Sequence, residues 1–458
     1  MSAAFIPLSH LLAQGRVADP AVCLRDGATI PWSTFTAGVG RLAAVVGTHA
    51  HRRWLLACEE PLAFATALFA VLHAGRVPVI PPNFQPGTLA ALAVEVDAGV
   101  TDHTAPAAAL HWLPVAAGDG AAVTLAPLPG NAEIVLYTSG SSGAPKAVTK
   151  TLAQFDAEVA LLERLWGARL ADHAVAATVP HHHIYGLLFR LLWPLAAGRP
   201  FDDAVCAEPE TLAARLQTPV RPVLISSPAF LSRLTDLVLI GQCSPAPVMT
   251  FSSGGPLPAV TARAIADGWG EAPTEVYGST ETGGIAWRRQ VAAEDGDAWT
   301  LLPGVRLRAD SDGAHAVHSP QAGTTAQTLA DRIALRDDGR FHLQGRLDRV
   351  LKVEEKRLSL PEMEAWLEDH PWVREAAATA LPVPVRLGAA IVLSTAGAEA
   401  LRLNDEKTIA AALKDHLLSR FDRVLLPKRW RFPETLPRSD RGKVVAAELV
   451  ALFGGVTP

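Results

Sequence analysis

Residues 133–146 read EIVLYTSGSSGAPK, and this stretch decides how the rest of the chain is interpreted. The run EIVL is typical of a buried strand, and it leads directly into a loop of glycines and hydroxyl side chains. Gly140 and Gly143 permit a tight backbone turn, and the hydroxyls and amides of residues 138–142 can surround phosphate oxygens. Lys146 adds a positive charge. The stretch therefore predicts a phosphate-binding loop in preference to a flexible Gly/Ser turn, and not a Walker A loop, because G-x-x-x-x-G-K-[ST] is absent.

The composition is that of a folded protein with more than one domain. The 458 residues are 49% hydrophobic and 19% charged, which excludes a disordered chain. A net charge of −5 gives no reason to expect nucleic acid or an anionic membrane as a partner. The N-terminal stretch MSAAFIPLSHLLAQGR has no basic segment followed by a long apolar run, which predicts no signal peptide and a cytoplasmic location. No integral membrane segment is expected, and the four scattered cysteines are expected to be reduced structural thiols.

The order of apolar patterns predicts an α/β fold. Over about the first 300 residues, β-branched runs alternate with Ala/Leu-rich helical patterns, which indicates βαβ units and largely parallel sheets. Residues 296–345 read as short strands with Gly turns, and the remainder reads as a compact α+β unit. We predict a large N-terminal domain over 1–347, built of parallel-sheet subdomains plus a small β-rich subdomain. A small mobile C-terminal domain is predicted over 348–458.

Five further stretches combine glycine or proline with polar and charged side chains. They are PHHHIYG (180–186), FSSGGPLP (251–258), YGSTETGG (277–284), GRLD (345–348) and PRSDRGK (437–443). Three successive histidines could suggest a metal site, but adjacent residues of a strand point to opposite faces and cannot converge on one ion. Taken singly, Glu281 or Lys443 would be interpreted as an ordinary solvated charge.

Taken in order with the phosphate loop, these stretches resemble the six motifs of the adenylate-forming superfamily. That superfamily contains acyl- and aryl-CoA synthetases, peptide-synthetase adenylation domains and luciferases. The resemblance runs from residue 137 to residue 443. It implies ATP and Mg²⁺ as cofactors. It also implies a reaction in which a carboxylate attacks the α-phosphorus of ATP, pyrophosphate leaves, and the acyl-adenylate passes to a thiol.

The resemblance assigns binding roles to individual residues. The loop that holds the phosphates corresponds to Thr138, Ser139, Gly140, Ser141, Ser142, Gly143 and Lys146. The adenine and ribose side corresponds to Gly254, Gly255, Pro256, Tyr277, Gly278, Ser279 and Asp331. Only the Asp of the family's Thr-Gly-Asp is matched at 331, so Asp337 and Asp338 are alternatives. The acid pocket corresponds to His183, Tyr185, Ser253, Gly254 and Gly283.

The resemblance also implies which residues act in the chemistry. Thr280 would contact the α-phosphate, Glu281 would bind Mg²⁺, and His183 would flank the carboxylate and gate the acceptor tunnel. Arg346 would contact ribose and phosphate. Lys443 would steady the carboxylate and the bridging oxygen, where negative charge develops during transfer.

The tyrosines give a further hint. The chain has only three, Tyr137, Tyr185 and Tyr277, and each lies in one of these motifs. This placement favours roles in the site over general packing, in which a buried tyrosine needs a satisfied hydroxyl.

One motif departs from the family. Its hinge stretch reads G-R-x-D-x-x-x-K-x-x-G-x-R, and this chain has GRLDRVLKVEEKR, with Asp348 as the pivot between domains. Lys352 and Arg357 match, whereas Glu355 replaces the glycine. In the CoA ligases of the family this loop approaches the pantetheine arm, so Glu354 and Glu355 add negative charge where the phosphates of CoA would come. The EEKR stretch resembles that of the small aryl-acid ligases of aryl-polyene and xanthomonadin-type pigment clusters.

The charge distribution bears on the thiol acceptor. Residues 349–458 have 17 Lys/Arg against 15 Asp/Glu, whereas residues 1–348 have 24 against 31. The basic residues that cluster near Lys443 in the sequence are Arg423, Lys428, Arg429, Arg431, Arg438 and Arg441. Carrier proteins are usually acidic, so this favours an acyl carrier protein over free CoA. A solvated basic face without a partner is an equally weighted alternative.

The expected substrate is a small aryl acid such as a hydroxybenzoate. PHHHIYG resembles the motif of aryl and acyl ligases rather than that of members that activate amino acids. A medium-chain fatty acid and free CoA are the alternatives within this reaction class. An adenylate-dependent oxygenase like luciferase is a further one. A nucleotide-binding regulatory pseudoenzyme belongs to a different class, and the presence of Glu281 and Lys443 argues against it.

Overall fold

The computed structural model describes most of the chain as two compact units. The described residues are 4–104, 110–116, 125–139, 145–216, 221–237, 239–290, 298–309, 315–329, 331–346, 350–353, 356–381, 386–421, 423–439 and 442–454. Unit 1 comprises Met1–Arg308 and Ala316–Gln327, and unit 2 comprises Ala309–His315 and Thr328–Pro458. The predicted domain boundary rests on a pivot at Asp348. That residue lies outside the described residues, so the pivot stays a prediction.

The first eighteen strands lie wholly or largely in unit 1. In chain order they are β1 (Ala21–Arg25), β2 (Ala28–Pro31), β3 (Arg53–Ala57), β4 (Val77–Ile80), β5 (Ala98–Thr101), β6 (His111–Pro114), β7 (Glu133–Ser139), β8 (Pro145–Thr151), β9 (Val175–Ala177), β10 (Phe201–Val205), β11 (Val223–Ser226), β12 (Met249–Ser252), β13 (Thr274–Ser279), β14 (Gly283–Arg289), β15 (Thr300–Leu301), β16 (Arg306–Ala309), β17 (His315–Ser319) and β18 (Gly323–Thr328).

Helices connect most of these strands. They are α1 (Leu11–Gln14), α2 (Trp32–Thr48), α3 (Pro61–His73), α4 (Pro86–Leu92), α5 (Leu152–Leu162), α6 (Ala168–Leu170), α7 (Ile184–Gly186), α8 (Trp193–Ala197), α9 (Pro209–Leu216), α10 (Pro228–Asp236) and α11 (Ala259–Trp269). Two π-helical segments, Glu163–Gly167 and Leu187–Leu192, interrupt the α-helical runs around α5, α6, α7 and α8. Short 3₁₀ turns occupy Ala93–Glu95 and Ile240–Gln242.

The larger sheet of unit 1 is parallel through its centre. Its strand order is β15-β14-β13-β12-β11-β9-β10-β1-β2. The strands from β13 to β1 pair in parallel, and antiparallel strands close both edges, with β14 and β15 beside β13 and with β2 beside β1. The carboxyl ends of β11, β12 and β13 therefore lie along one edge, which is where open α/β sheets bind ligands.

The second sheet of unit 1 ends in a hairpin. Its order is β6-β5-β3-β4-β7-β8, and every neighbouring pair is parallel except β7 and β8. Helix α3 packs on β3 and β4 of this sheet and also contacts β10 of the larger one. Residues 61–72 of α3 are all buried. A helix enclosed on every side needs apolar residues all round, which explains the run LAFATALFAVL, whose one polar side chain, Thr66, donates to the Leu62 carbonyl of the same helix.

Unit 2 is a small α+β structure. Its strands are β19 (Asp331–Leu335), β20 (Phe341–Arg346), β21 (Val350–Val353), β22 (Lys356–Ser359), β23 (Val373–Leu381), β24 (Arg386–Leu393) and β25 (Arg429–Arg431), and its helices are α12 (Leu360–Glu368), α13 (Thr395–Leu403), α14 (Glu406–Leu418) and α15 (Ala446–Ala451), with a 3₁₀ turn at Arg423–Leu425. Strands β23, β24 and β25 form one sheet with apolar residues on both faces. Ala389 and Ile391 face a core with α12 and α14, whereas Ala390 and Val392 pack with Leu449 of α15.

The predicted α/β fold class is confirmed, with large, mainly parallel sheets in the first part of the chain and small sheets later. The pattern LPEMEAWLEDHP predicts a helix, and α12 forms there. DEKTIAAALKDHLLSR likewise becomes α14. All four cysteines are buried and unpaired with one another. Among the described residues, none of the helices combines the length and apolar character needed to cross a membrane.

His73, the last residue of α3, predicts a pH-dependent stability. Burial lowers its pKa to about 4, whereas an unfolded chain has a histidine pKa of about 6.5. Between these values only the unfolded chain binds the proton, so falling pH lowers the free energy of unfolding by up to about 1.4 kcal/mol per pH unit. We expect the drop in thermal midpoint from about pH 7 to about pH 5 to be smaller in His73→Gln than in wild type. His10→Gln, which changes an exposed histidine, is the control, and a drop in His73→Gln equal to that of wild type would contradict the assignment.

Candidate active site

The predicted phosphate loop connects the two strands of the β7–β8 hairpin. Buried residues 134–136 anchor β7 in the sheet beside β4, so its carboxyl end reaches the ligand-binding edge. Thr138 and Lys146 are cross-strand partners, and the Thr138 hydroxyl donates to the Lys146 carbonyl oxygen over 3.4 Å. Ser139 pairs with Pro145 in the same ladder. The rest of the predicted loop, Gly140, Ser141, Ser142 and Gly143, lies outside the described residues.

The core motif forms a tight turn between β13 and β14. A Cβ on Gly278 would lie 2.2 Å from the carbonyl oxygen of Gly283, and Gly283 itself has a φ of +65°, so both positions require glycine. The Ser279 amide donates to the hydroxyl of Thr282 over 3.0 Å, and that hydroxyl donates to the Gly283 carbonyl over 2.8 Å. Thr282 is thereby buried inside the turn, which leaves Thr280 and Glu281 partly exposed at its tip.

The phosphate loop and the core motif meet through an ion pair. Lys146 Nζ donates to Glu281 Oε1 over 2.9 Å, although the two residues belong to different sheets. Burial raises the pKa of the Glu281 carboxyl, but hydrogen bonds from Lys146, its own backbone amide and Ser279 outweigh that effect and hold the pKa below its ordinary value. The fold thus places an ionised carboxylate directly beside the cation of the phosphate loop.

The predicted adenine-side residues share one edge of the larger sheet. Residues 253–256 follow β12, and Tyr277 and Gly278 lie in the last part of the parallel neighbour β13. The Ser253 hydroxyl donates to the Val276 carbonyl over 2.8 Å, which ties the loop to β13. The next residues, Gly254, Gly255 and Pro256, are exposed, and the Tyr277 ring lies 5.6 Å from the ring of Trp299.

The PHHHIYG stretch departs from its predicted local structure. Residues 181–183 form a turn rather than a strand, and α7 begins after His183. His181 Nε2 lies 2.9 Å from the Cys58 carbonyl oxygen, and burial, with Arg190 and His182 nearby, holds the pKa of His181 well below its ordinary value. Within the described part of the chain, no group of three or more His, Cys, Asp or Glu could hold a metal ion. A Cβ on Gly186 would lie 2.0 Å from the Pro180 carbonyl oxygen, so the closing glycine is needed for packing.

Tyr185 lies against an aromatic wall. The centroid of its ring is 4.9 Å from that of Phe189. The ring centroids of Phe189 and Phe251 are 5.2 Å apart, and those of Trp166 and Phe251 are 5.1 Å apart. The Tyr185 hydroxyl is buried and close to the Ser226 backbone, and burial raises its pKa well above the ordinary value. Among the described residues the geometry gives no hydrogen-bond partner to this hydroxyl or to the buried hydroxyl of Ser252, the cross-strand neighbour of Ser226.

The sequence-based interpretation of Tyr137 as a site residue rather than a packing residue is wrong. Tyr137 is 8% exposed and packs in a core cluster with Leu55, Val79 and Leu89. Burial and the nearby Glu95 carboxylate raise its pKa, and the positive charge of Arg53 opposes this effect. Tyr137 is therefore a packing residue of the core.

The remaining predicted residues belong to unit 2. Asp331 of β19 and Arg346 of β20 are cross-strand partners, and Lys352 pairs with Arg357 between β21 and β22. Asp338 lies in the turn before β20 beside Asp337, and it pairs with Arg340. Asp348, Glu354 and Glu355 lie outside the described residues.

Lys443 is exposed on a turn of unit 2. The Ser439 amide donates to the Lys443 carbonyl over 2.8 Å, and Gly442, with a φ of +74°, closes the turn. The glycine of P-x-x-x-x-G-K therefore serves the backbone conformation that presents the lysine.

Two charged residues beside the core motif lie outside all of the sequence motifs. Lys150 of β8 and Glu158 of α5 are 1% and 2% exposed, and the Glu158 carboxylate accepts from the Gly284 amide over 2.6 Å. The only sequence signal is the position of each residue in the repeating pattern of its strand or helix. Lys150 follows Lys146 and Val148 at every second residue of one strand, and Glu158 interrupts the apolar face of a helix.

Known proteins resemble this chain over most of its length. The family model described as AMP-binding enzyme matches residues 12–310. A 4-coumarate–CoA ligase of Rhodobacter capsulatus is 32% identical over 317 residues, which are 68% of this chain and 74% of that protein. An L-proline–[L-prolyl-carrier protein] ligase of Pseudomonas fluorescens is 28% identical over 376 residues, which are 74% of this chain and 72% of that protein. The crystal structure of ATP-bound MatB from Rhodopseudomonas palustris has a TM-score of 0.84 at 20% identity and covers 98% of this chain and 99% of its own.

These similarities agree with the geometry of unit 1. The family match extends from α1 to the end of β16, and so includes the phosphate loop, the PHHHIYG stretch, the adenine-side loop and the core motif. The relatives include both CoA ligases and ligases of carrier proteins. The chain therefore belongs to the AMP-binding enzyme family and is an ATP-dependent, AMP-forming acid–thiol ligase that activates its acid as an adenylate.

Proposed function

We propose that the chain activates a small hydroxylated aryl acid and transfers the acyl group to the phosphopantetheine thiol of an acyl carrier protein. The ion pair between Lys146 and Glu281 carries the nucleotide half of this proposal, because it joins the phosphate-loop cation to the core-motif carboxylate over 2.9 Å. A medium-chain fatty acid and free CoA are the alternatives. A 4-coumarate–CoA ligase among the relatives supports an aryl acid, and a carrier-protein ligase among them supports a protein-bound thiol.

The residues of unit 1 act by positioning and by charge. Lys146 and the hydroxyl of Thr138 would hold phosphate oxygens, and Thr280 would meet the α-phosphate at the tip of the core-motif turn. Negative charge develops on these oxygens as the carboxylate attacks, so preorganised donors lower the barrier. Lys443 of unit 2 is proposed as the mobile cation of the first step, with Arg346 and Asp331 on the ribose side. The swing about Asp348 stays part of this proposal.

Glu281 fits a magnesium ion. Its carboxylate is ionised, 33% exposed and already beside a cationic group. Mg²⁺ prefers carboxylate oxygens together with waters and nucleotide phosphates. When bound, the ion would neutralise charge on the phosphates. The residues around Glu281 contribute by keeping its carboxylate ionised and directed at the phosphate loop.

We expect Glu281→Gln to slow acid-dependent pyrophosphate release by about 10²-fold, because one charged element of transition-state stabilisation is lost. The Mg²⁺ concentration for half-maximal rate should also rise. Glu271→Gln is the matched control, since Glu271 is an ion-paired carboxylate that precedes β13, whereas Glu281 follows it. An unchanged Mg²⁺ profile in Glu281→Gln would remove this residue from the metal site.

The surroundings of Tyr185 support an aryl acid that bears a hydroxyl. The rings of Phe189, Phe251 and Trp166 are buried, and the partly exposed ring of Tyr185 packs against the Phe189 end of this cluster. Tyr185 is therefore the aromatic face that would meet the ring of an aryl acid. The buried hydroxyls of Tyr185 and Ser252 offer polar contacts in the same region. A buried hydroxyl that gains a partner only with the ligand discriminates strongly between ligands with and without a matching group. His183, Ser253 and Gly283 are proposed to complete the pocket.

Tyr185→Phe should therefore change substrate preference more than overall activity. We expect kcat/KM for a hydroxybenzoate to fall about tenfold, the loss of one buried hydrogen bond, with little change for benzoate. Pyrophosphate release across a panel of benzoates and medium-chain fatty acids measures this. Equal losses for benzoate and hydroxybenzoate would exclude the hydroxyl contact, and a wild-type preference for fatty acids would replace the aryl assignment.

The basic residues of unit 2 support a carrier protein as acceptor. Fewer of them contribute than the sequence indicates. Arg429 and Arg431 are exposed on β25 and donate to the carbonyls of Phe453 and Leu452, and neither forms an ion pair with a described residue. Arg438, in contrast, pairs with Glu375. The positive surface that remains for an acidic partner centres on residues 428–431.

A phosphopantetheinylated carrier protein should give a higher kcat/KM than free CoA, and the advantage should shrink as ionic strength rises, because opposite charges steer the encounter. Arg431→Glu should lower the rate with the carrier by about threefold or more and leave the rate with CoA unchanged. Lys407→Glu, which reverses an exposed charge on α14, serves as the control. Turnover with CoA that equals or exceeds turnover with the carrier, without a salt effect, would assign CoA as the acceptor.

A further inference from the structure

A buried pair of ionisable residues lies behind the core motif, and no step of the proposed mechanism uses it. Lys150 on β8 and Glu158 on α5 are both almost completely buried. Burial raises the pKa of Glu158 and lowers that of Lys150, while each group opposes the shift of the other. Burying two ionisable groups costs more than burying apolar residues of similar size, so their presence calls for a specific role.

Side chains from two other elements hold both backbone groups of Gly284. Glu158 Oε1 accepts from the Gly284 amide over 2.6 Å, and Gln321 Nε2 donates to the Gly284 carbonyl over 2.9 Å. Lys150 Nζ donates to the backbone carbonyl of Gln321 over 2.8 Å. Helix α5, strand β8 and the β17–β18 turn are therefore joined at the first residues of β14.

The Glu158 carboxylate also lies in close van der Waals contact with the backbone of residues 283 and 284. A Cβ on Gly283 would lie 2.6 Å from the second Glu158 oxygen, and a Cβ on Gly284 would lie 3.3 Å from the first. The carboxylate thus packs directly on the backbone of both glycines. The second oxygen is buried, and among the described residues it has no hydrogen-bond partner, so Glu158 is not held there by any other bond than the one to Gly284.

The position of Gly284 determines where Glu281 can be. The turn of residues 279–283 is closed internally by the hydrogen bonds of Ser279 and Thr282, so it moves as one piece with the start of β14. Lys146 and Lys150 lie four residues apart on the same strand and hence on the same face. Lys146 contacts Glu281 at the exposed tip of the turn, and Lys150 belongs to the buried network behind it.

We propose that Glu158, with Lys150 and Gln321, is a positioning network that fixes the core-motif turn and thereby holds the Glu281 carboxylate at the phosphate loop. This inference rests on the proposed role of Glu281. Glu158 acts through the backbone of Gly283 and Gly284. A displacement of the turn by about 1 Å is enough to cost a large factor in rate, since catalysis here depends on placement.

The test compares Glu158→Leu, which removes the acceptor, with Glu158→Gln, which keeps an oxygen for the Gly284 amide. In Glu158→Leu we expect kcat for acid-dependent pyrophosphate release to fall about tenfold or more, while KM for the acid changes little, and the Mg²⁺ concentration for half-maximal rate to rise. Glu158→Gln should recover most of kcat. The matched control is Asp156→Leu on the same helix, which removes a carboxylate that accepts from the amides of Leu8 and Ser9.

A second readout does not depend on activity. Hydrogen exchange of the peptide that covers residues 279–284 should be faster in Glu158→Leu than in wild type or in Asp156→Leu, and Glu158→Gln should restore protection. Wild-type exchange, kcat and Mg²⁺ response in Glu158→Leu would overturn the proposal. So would losses that match those of Asp156→Leu and follow thermal stability alone. If Glu281→Gln leaves the Mg²⁺ profile unchanged while exchange still responds to Glu158, the metal assignment fails and the positioning network stands.

Discussion

The close approach of backbone to backbone at residues 278–284 is the constraint on which the rest of unit 1 depends. At this point the larger sheet, the hairpin of the second sheet, helix α5 and the β17–β18 turn all meet. Side chains larger than hydrogen at Gly278 or Gly283 would collide with a carbonyl or a carboxylate. Because these elements come together so closely, charges on separate sheets can pair, and the binding edge of one sheet faces the loop of the other.

Two kinds of surface flank this junction, one on the side of the nucleotide and one on the side proposed for the acid. Toward the nucleotide side the chain presents charge and hydroxyls on short turns that end strands, where backbone hydrogen bonds fix the geometry. The side proposed for the acid holds Tyr185, whose ring packs on the buried ring of Phe189, and the buried hydroxyl of Ser252. The first surface suits a ligand that every member of the family shares. The second surface is the one proposed to select the acid.

The parts of the fold and site that depend on local order could be predicted from the sequence. The strand before the phosphate loop, helices α12 and α14, and the fold class follow from periodicity and turn residues, and the motif glycines follow from their spacing. Residues 181–183 form a turn, and nothing local in the sequence distinguishes this turn from the strand geometry used to argue against a metal site. Tyr137 has a motif position but a core environment, and only the packing of Leu55 and Val79 against it reveals this.

The network of Lys150 and Glu158 could not be predicted for a related reason. Its partners are Gly284 and Gln321, which lie more than a hundred residues further along the chain. In sequence, a lysine in a strand and a glutamate in a helix are ordinary surface residues. Their burial is decided by which elements pack together, and that information is not local.

The pairing of Lys146 with Glu281 has a consequence for the kind of ligand the site accepts. As the structure stands, the phosphate-loop cation and the core-motif anion neutralise each other, so the pair as a unit presents little net charge. A bare anion that captures Lys146 leaves Glu281 without its partner, and a bare cation that captures Glu281 does the same to Lys146. A ligand that brings both signs of charge together satisfies both residues at once. The ion pair therefore favours binding of a polyphosphate together with its counter-ion and disfavours binding of either one alone.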